Sequence, residues 1–197
     1  MPQLASQLIH DGRVNVDNKS DKQLRNAIMR EARKLMHADA LQLDVVTDHR
    51  VSLLRAVRMS RRNDELEIAT LFYATYFEHQ VNGIIAHLCE RKGLHQLTKQ
   101  IVRDTSLGAK CTWVLELLGG KSFREIWRKR LLTITDARNA YVHYKWVPDA
   151  DLRHEEKTQL SAKLAMAERI VGHLREYEDG AVHSRQGKRL RKLFRQR

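Results

Sequence analysis

Residues that interrupt helices are scarce in this sequence. The chain of 197 residues contains 9 Gly and 2 Pro, whereas β-sandwiches and β-barrels need a turn about every dozen residues. Apolar residues instead recur at helical spacing, most regularly between Leu66 and Leu88. The sequence therefore predicts an all-α protein in which long helices pack as one antiparallel bundle.

Capping patterns mark where several helices begin and end. Ser20 with Gln23, and Ser122 with Glu125, have the spacing of a capping box, and Gly93 stands where a helix terminator is expected. The predicted helices cover residues 21–40, 47–62, 64–91, 96–103, 106–118, 122–146 and 153–179. The longest of them, over 64–91, is expected at the centre of the bundle.

Composition does not divide the chain into several domains. It contains no repeat at solenoid period, no low-complexity tract and no Pro-rich linker. We expect a lead-in over residues 1–19, which show no sustained periodicity, a single helical domain over 20–182, and a basic C-terminal tail over 183–197.

The two cysteines predict neither a disulfide framework nor a zinc site. Cys89 and Cys111 lie in predicted helices, and no paired Cys/His spacing occurs. The amino-terminal residues do not resemble a secretory signal, and no apolar run reaches the length that spans a bilayer. We therefore expect a cytoplasmic protein that has no metal or other cofactor and does not bind membranes.

Positive charge is concentrated near the C-terminal end. The chain holds 36 Lys and Arg against 24 Asp and Glu, a net charge of +12. The tail contributes Arg185, Lys188, Arg189, Arg191, Lys192, Arg195 and Arg197. Binding to a polyanion such as RNA is one interpretation, and a solvated tail is the other. If the tail is helical, Leu190, Leu193 and Phe194 form an apolar stripe that can grip RNA or dock on a partner.

The segment Arg138-Asn139-Ala140-Tyr141-Val142-His143 combines residues suited to phosphodiester chemistry. A guanidinium pairs with phosphate oxygens in a forked geometry, and an imidazole titrates near neutral pH. RNA can then be cut without a metal, because its own 2′-hydroxyl attacks the phosphorus while histidine moves protons. The full pattern, Arg-Asn followed by three residues and His, is expected by chance only about 0.04 times in a chain of this composition.

The same segment is expected to lie at a subunit interface. Helical spacing places Asn139 and His143 together, nearly opposite the apolar stripe of their helix, with Arg138 between the two faces. Leu132 and Trp146 share the outer face with them, which favours a homodimer. The stripe expected to face the core consists of Phe123, Trp127, Ile134, Ala137 and Tyr141.

With these residues the chain resembles the HEPN superfamily, whose signature is Arg, four to six residues, then His. The resemblance covers residues 63–179, a central hydrophobic helix followed by the motif helix and one more. It implies a HEPN-like antiparallel helical bundle with additional helices, in which Arg138 and His143 are catalytic and Asn139 supports them. It also implies that two protomers join their motifs in one cleft, with an antitoxin or a defence complex as a further partner. In one HEPN toxin group the antitoxin modifies a Tyr that lies two residues after the His. This chain has Lys145 at that position, so the resemblance does not extend to neutralisation by that modification.

A carboxylate on the central helix is expected to support the motif. Glu78 lies at the edge of an apolar stripe, where an acid needs a partner, and Arg138 is available. An ordinary structural salt bridge is the alternative interpretation.

The resemblance implies a metal-independent endoribonuclease that acts as a toxin or an antiphage effector. The alternative is a non-catalytic helical module that dimerises through the same surface and binds RNA or a protein partner.

Overall fold

The computed structural model describes residues 2–37, 49–142, 150–183 and 186–194, and every element within these ranges is helical. The all-α prediction is therefore confirmed. The α-helices are α1 (Pro2–His10), α2 (Asp21–His37), α3 (Arg50–Arg62), α4 (Leu66–Arg91), α5 (Thr98–Asp104), α6 (Leu107–Ala109), α7 (Leu115–Leu117), α8 (Glu125–Val142), α9 (Ala150–Leu164), α10 (Ala167–Ala181) and α11 (Gly187–Leu193). A 3₁₀ turn at His95–Leu97 precedes α5, and a π-helical segment at Lys110–Val114 joins α6 to α7. None of the described helices is both long and apolar enough to cross a membrane.

The chain forms two compact units. The larger comprises Asp48–Arg175, and the smaller combines Met1–Thr47 with Glu176–Arg197. These limits differ from the boundaries predicted after residues 19 and 182. The difference arises because the expected lead-in and the expected tail both contribute buried side chains to the smaller unit.

Helix α4 is the central element of the larger unit, as predicted. The helices α3, α5, α8 and α9 and the π-helical segment all pack against it. Tyr73, Tyr76 and Phe77 on α4 are almost completely buried, and further buried residues lie on its other sides. A helix with apolar residues around most of its circumference is stable only when neighbours cover it on several sides.

The end of α4 confirms the predicted glycine terminator. Gly93 has φ +69°, and its N–H donates to the Glu90 carbonyl at 3.0 Å. The Leu94 N–H donates to the Cys89 carbonyl at 2.8 Å. This is a Schellman motif, which satisfies the last carbonyls of a helix and needs a left-handed residue at this position.

The smaller unit has its own core. Its buried members are Ala5, Leu8, Val14, Leu24, Ile28, Ala32 and Leu190. The capping box at the start of α2 is confirmed, because the Ser20 N–H donates to Gln23 Oε1 at 2.9 Å and the Gln23 N–H donates to Ser20 Oγ at 3.3 Å. These bonds satisfy backbone donors that the first helical turn leaves free.

The expectation that residues 1–19 form only a lead-in is wrong for Pro2–His10, which is helical. Ala5 and Leu8 are buried in the core of the smaller unit. Nine residues are too few for a helix to be stable by itself, so packing against the rest of the unit must stabilise α1. One of its packing partners, α11, is distant in sequence and therefore leaves no local signal.

The second predicted capping box does not form. The Ser122 hydroxyl donates to the Glu116 carboxylate at 2.6 Å, and Glu125 pairs with Lys129 at 2.7 Å. The loop before α8 is instead fixed by the Phe123 N–H, which donates to the Cys111 carbonyl at 2.9 Å. Both members of the expected box are thus engaged by other residues.

Candidate functional site

The beginning of α8 is anchored by aromatic contacts. Trp127 stacks on His173 of α10 at 5.0 Å between ring centroids, and Phe123 meets the same ring edge-on at 5.8 Å. The Arg130 guanidinium lies 5.2 Å from the centroid of the Trp127 ring. Phe123, Trp127 and Ile134 therefore face the core, as predicted. These contacts fix the orientation of the helix that carries the Arg138 motif.

The far end of α8 faces differently from the prediction. Tyr141 was expected in the core but is 50% exposed, and Val142 beside it is 42% exposed. The buried residues of α8 are Leu131, Ile134 and Thr135, so the inward side is rotated relative to the predicted stripe. Continuing this spacing by one turn places Arg138 on the inward side instead of between two faces.

Leu132 also departs from the prediction that it lies on an open outer face. The side chain is partly buried, and its Cδ1 lies 3.8 Å from the position that a Cβ would take on Gly108 of α6. Part of the surface assigned to a subunit partner is therefore covered by the chain itself. Trp146, the other residue assigned to that face, lies outside the described residues.

Arg138 is partly buried and lacks a counter-ion within the described part of the chain. Its Nη1 donates to Asn139 Oδ1 at 2.8 Å. Its Nε is buried and has no hydrogen-bond partner among the described residues. The bond to Asn139 holds the guanidinium against α8 and joins the first two residues of the motif.

This guanidinium keeps unused capacity to donate hydrogen bonds. A buried charge is costly unless it is paired and hydrogen-bonded, and a neutral amide oxygen satisfies only one of its five N–H groups. A phosphate can accept two bonds from such a group at once, in a geometry that fits its oxygens. The arrangement of Arg138 and Asn139 can therefore hold a phosphate.

Glu78 is partly buried on α4, and its charge acts on Lys110 of the π-helical segment. Burial lowers the pKa of Lys110 below its usual value of 10.5, while the charge of Glu78 opposes this shift. No ion pair joins Glu78 to Arg138 in the structure as described. The supporting role of Glu78 toward Arg138 remains a prediction.

Lys110 is a functional candidate that no sequence pattern indicates. The sequence predicts an uninterrupted helix over residues 106–118, but the chain kinks within Lys110–Val114, where Thr112 has a non-helical φ of −125° and ψ of −110°. Lys110, at the start of this kinked segment, is only 7% exposed. No residue pattern in the sequence predicts the kink. Within the described ranges, no group of three or more His, Cys, Asp and Glu side chains could hold a metal ion.

His143, the predicted proton-transfer residue, lies outside the described residues. The last described residue before it is Val142, at the end of α8. Its role therefore depends on the sequence motif.

The basic tail is partly a structural element. Residues Gly187–Leu193 form α11, and Leu190 is fully buried against the core of the smaller unit, with Leu193 and Phe194 packed beside it. The apolar stripe thus docks on the chain's own helices instead of on RNA or a partner. Arg189 donates from Nε to Asp21 at 2.9 Å and from Nη2 to the Lys19 carbonyl at 2.6 Å.

The remaining tail cations differ in how far the structure describes them. Lys192 is exposed, whereas Arg185, Arg195 and Arg197 lie outside the described residues, as do the side chains of Lys188 and Arg191. Their contact with RNA stays a prediction. Arg189, by contrast, already has an acidic partner in its own chain.

Comparison with known proteins gives no match at the level of family models, curated proteins or solved structures.

Proposed function

We propose that this protein is a HEPN-type, metal-independent endoribonuclease that acts as a toxin or an antiphage effector. The observation that carries the proposal is Arg138, a partly buried guanidinium that is hydrogen-bonded to Asn139 and has no counter-ion among the described residues. In the sequence these two residues begin the Arg-Asn-x3-His motif. The guanidinium of Arg138, which is suited to binding phosphate, therefore lies five residues before the imidazole of His143, which is suited to proton transfer.

In the proposed reaction Arg138 binds a non-bridging oxygen of the scissile phosphate. His143 accepts the proton of the adjacent 2′-hydroxyl, and the 2′-oxygen attacks the phosphorus. The bond to the 5′-oxygen breaks, and that oxygen leaves with a proton donated by an imidazolium. The products are a 2′,3′-cyclic phosphate and a 5′-hydroxyl, and Arg138 offsets the negative charge that develops on the non-bridging oxygens.

A homodimer supplies two copies of the motif to one cleft, so that one histidine acts as base and the other as acid. The exposed Tyr141 and Val142 directly before His143 support this arrangement, because contiguous apolar side chains on a surface favour an interface. Neutralisation by an antitoxin or recruitment into a defence complex belongs to the same proposal.

The proposal is tested by incubating the purified protein with labelled tRNA and mRNA in EDTA and identifying the product ends. Wild-type protein is expected to leave 2′,3′-cyclic phosphate. Loss of the proton-transfer group in His143→Ala should lower the rate about 10²- to 10⁴-fold. His95→Ala, a change at an exposed histidine away from α8, serves as the control and should keep full activity.

Arg138→Met adds a second readout to the same experiment. Cleavage should be lost, but the free energy of unfolding should stay equal or rise by about 1 kcal/mol, because an uncompensated charge leaves a partly buried position. If His143→Ala cleaves as fast as wild type, the proposal is wrong. The wild-type protein and its variants could instead all stay folded and bind RNA equally without cutting it. In that case the non-catalytic RNA-binding module is the better description.

A further inference from the structure

Helix α3 concentrates positive charge to an unusual degree. Five of its thirteen residues are arginines, and none is acidic. The helix packs against α4 through Leu54, Val57 and Ser60, which are buried. Its opposite side is left exposed.

Three of these arginines form one exposed row. Arg55, Arg58 and Arg62 are spaced i, i+3 and i+7, which places them on the same side of a helix over a length of about 10 Å. All three are exposed, and none forms an ion pair with a described residue. We call these three residues the arginine row.

The other two arginines of α3 are engaged within the larger unit. Arg50 donates from Nη1 to Gln80 Oε1 at 3.1 Å, and Arg61 lies beside the Tyr73 hydroxyl. The arginine row is therefore distinct from the cations that hold α3 in place.

Two exposed apolar side chains flank the arginine row. Val51 is 65% exposed and Met59 is 55% exposed, and both lie on the same side of α3 as the row. The nearest acid beyond the helix end, Asp64, is already paired with Lys157. A phosphate chain approaching the row thus meets three exposed guanidinium groups with apolar surface beside them.

We infer that the arginine row binds the phosphate backbone of single-stranded RNA. The inference rests on the proposed function, and it places a polyanion-binding surface on α3 of the larger unit, separate from the C-terminal tail of the smaller unit. Three cations in a line fit a chain of phosphates better than a single ion. A membrane surface is a poorer fit, because the apolar face that would enter lipid is packed on α4.

The test measures binding of a uniformly 2′-O-methylated single-stranded RNA, which lacks the attacking hydroxyl and so stays intact with the wild-type protein. Each phosphate contact contributes about 0.7 to the slope of log K against log salt for single strands. The triple variant R55Q/R58Q/R62Q loses three such contacts. Its slope should therefore be shallower than that of the wild-type protein by about 2.

A matched triple variant controls for net charge. K99Q/K163Q/R169Q removes three exposed cations from α5, α9 and α10 in the same unit and should leave the slope nearly unchanged. An equal loss in both triple variants, or no loss in the first, would overturn the inference. A third outcome would also overturn it, namely that binding of poly-glutamate depends on the arginine row whereas binding of RNA does not. The partner of the row would then be an acidic protein.

Failure of this inference can be told apart from failure of the proposed nuclease. Cleavage that depends on His143, with a slope unaffected by the arginine row, rejects the inference and leaves the nuclease standing. A slope that depends on the row, with no cleavage of unmodified RNA, supports the inference and rejects the nuclease.

Discussion

Burial shifts the pKa of three side chains in the larger unit. Burial and the hydrogen bond to Glu168 raise the pKa of Tyr73 to about 12. Burial also raises the pKa of Cys111 to about 12, and it lowers the pKa of Lys110. In all three cases the low polarity of the interior favours the neutral form. The core is therefore adapted to neutral thiol and phenol groups, and alkaline pH should destabilise it.

Cys111 should make the protein sensitive to alkali. Its thiol has a pKa of about 12 when folded against an ordinary value of 9.0, so the folded state holds the proton more tightly. The resulting stabilisation is complete below pH 9 and is lost as pH rises toward 12. Between about pH 8 and pH 10 this group alone should lower the free energy of unfolding by about 1.4 kcal/mol.

Urea unfolding of wild-type protein and Cys111→Ala across this pH range measures the effect. Other groups also titrate there, but they are present in both proteins, so the difference between the two pH profiles isolates the thiol. Parallel profiles would show that Cys111 ionises equally well in the folded and unfolded states.

At the level of elements, the sequence predicted features that depend on neighbouring residues more reliably than features that depend on how helices pack. The Ser20 and Gln23 box and the terminator at Gly93 depend only on neighbouring residues, and both formed as predicted. The Ser122 box failed because Glu116 competes for the hydroxyl. The exposure of Tyr141 depends on which side of α8 meets α4, which its own periodicity did not determine.

Two glycines should respond oppositely to the same substitution. Gly93→Ala should lower the free energy of unfolding by about 1 kcal/mol, because its φ of +69° strains any residue with a Cβ. Gly172 lies exposed within α10 with open space where an alanine methyl group would stand, so Gly172→Ala should raise the same quantity by about 0.5 to 1 kcal/mol. Chemical denaturation of both variants checks the pair, and effects of equal sign would contradict the assigned backbone conformations.

At the scale of the whole molecule, the sequence predicted the helical class and the central position of α4, but not the smaller unit. That unit joins α1 and α2 to α11, which are separated by most of the chain. The candidate site shows the same limit. The motif identified Arg138 and Asn139, whereas the burial of Lys110 and the exposure of the arginine row depend on how helices pack.

Leu190 should be essential to the smaller unit. Leu190→Ala removes a fully buried side chain and should lower the free energy of unfolding by about 2 to 4 kcal/mol. Lys192→Ala, at an exposed position of the same helix, should change it by less than about 0.5 kcal/mol. Hydrogen exchange should locate the loss of protection in α1 and α2, and unchanged exchange there would show that α11 does not stabilise them.

The docking of α11 on α2 also sets an order of events during translation. About 150 residues separate the end of α2 from the start of α11, which corresponds to roughly 8 to 30 seconds of synthesis. Throughout that interval Leu24 and Ile28 lack the leucine that completes their core. Helices α1 and α2 are thus synthesised long before their core is complete, and until then they carry an open apolar surface that a chaperone can bind.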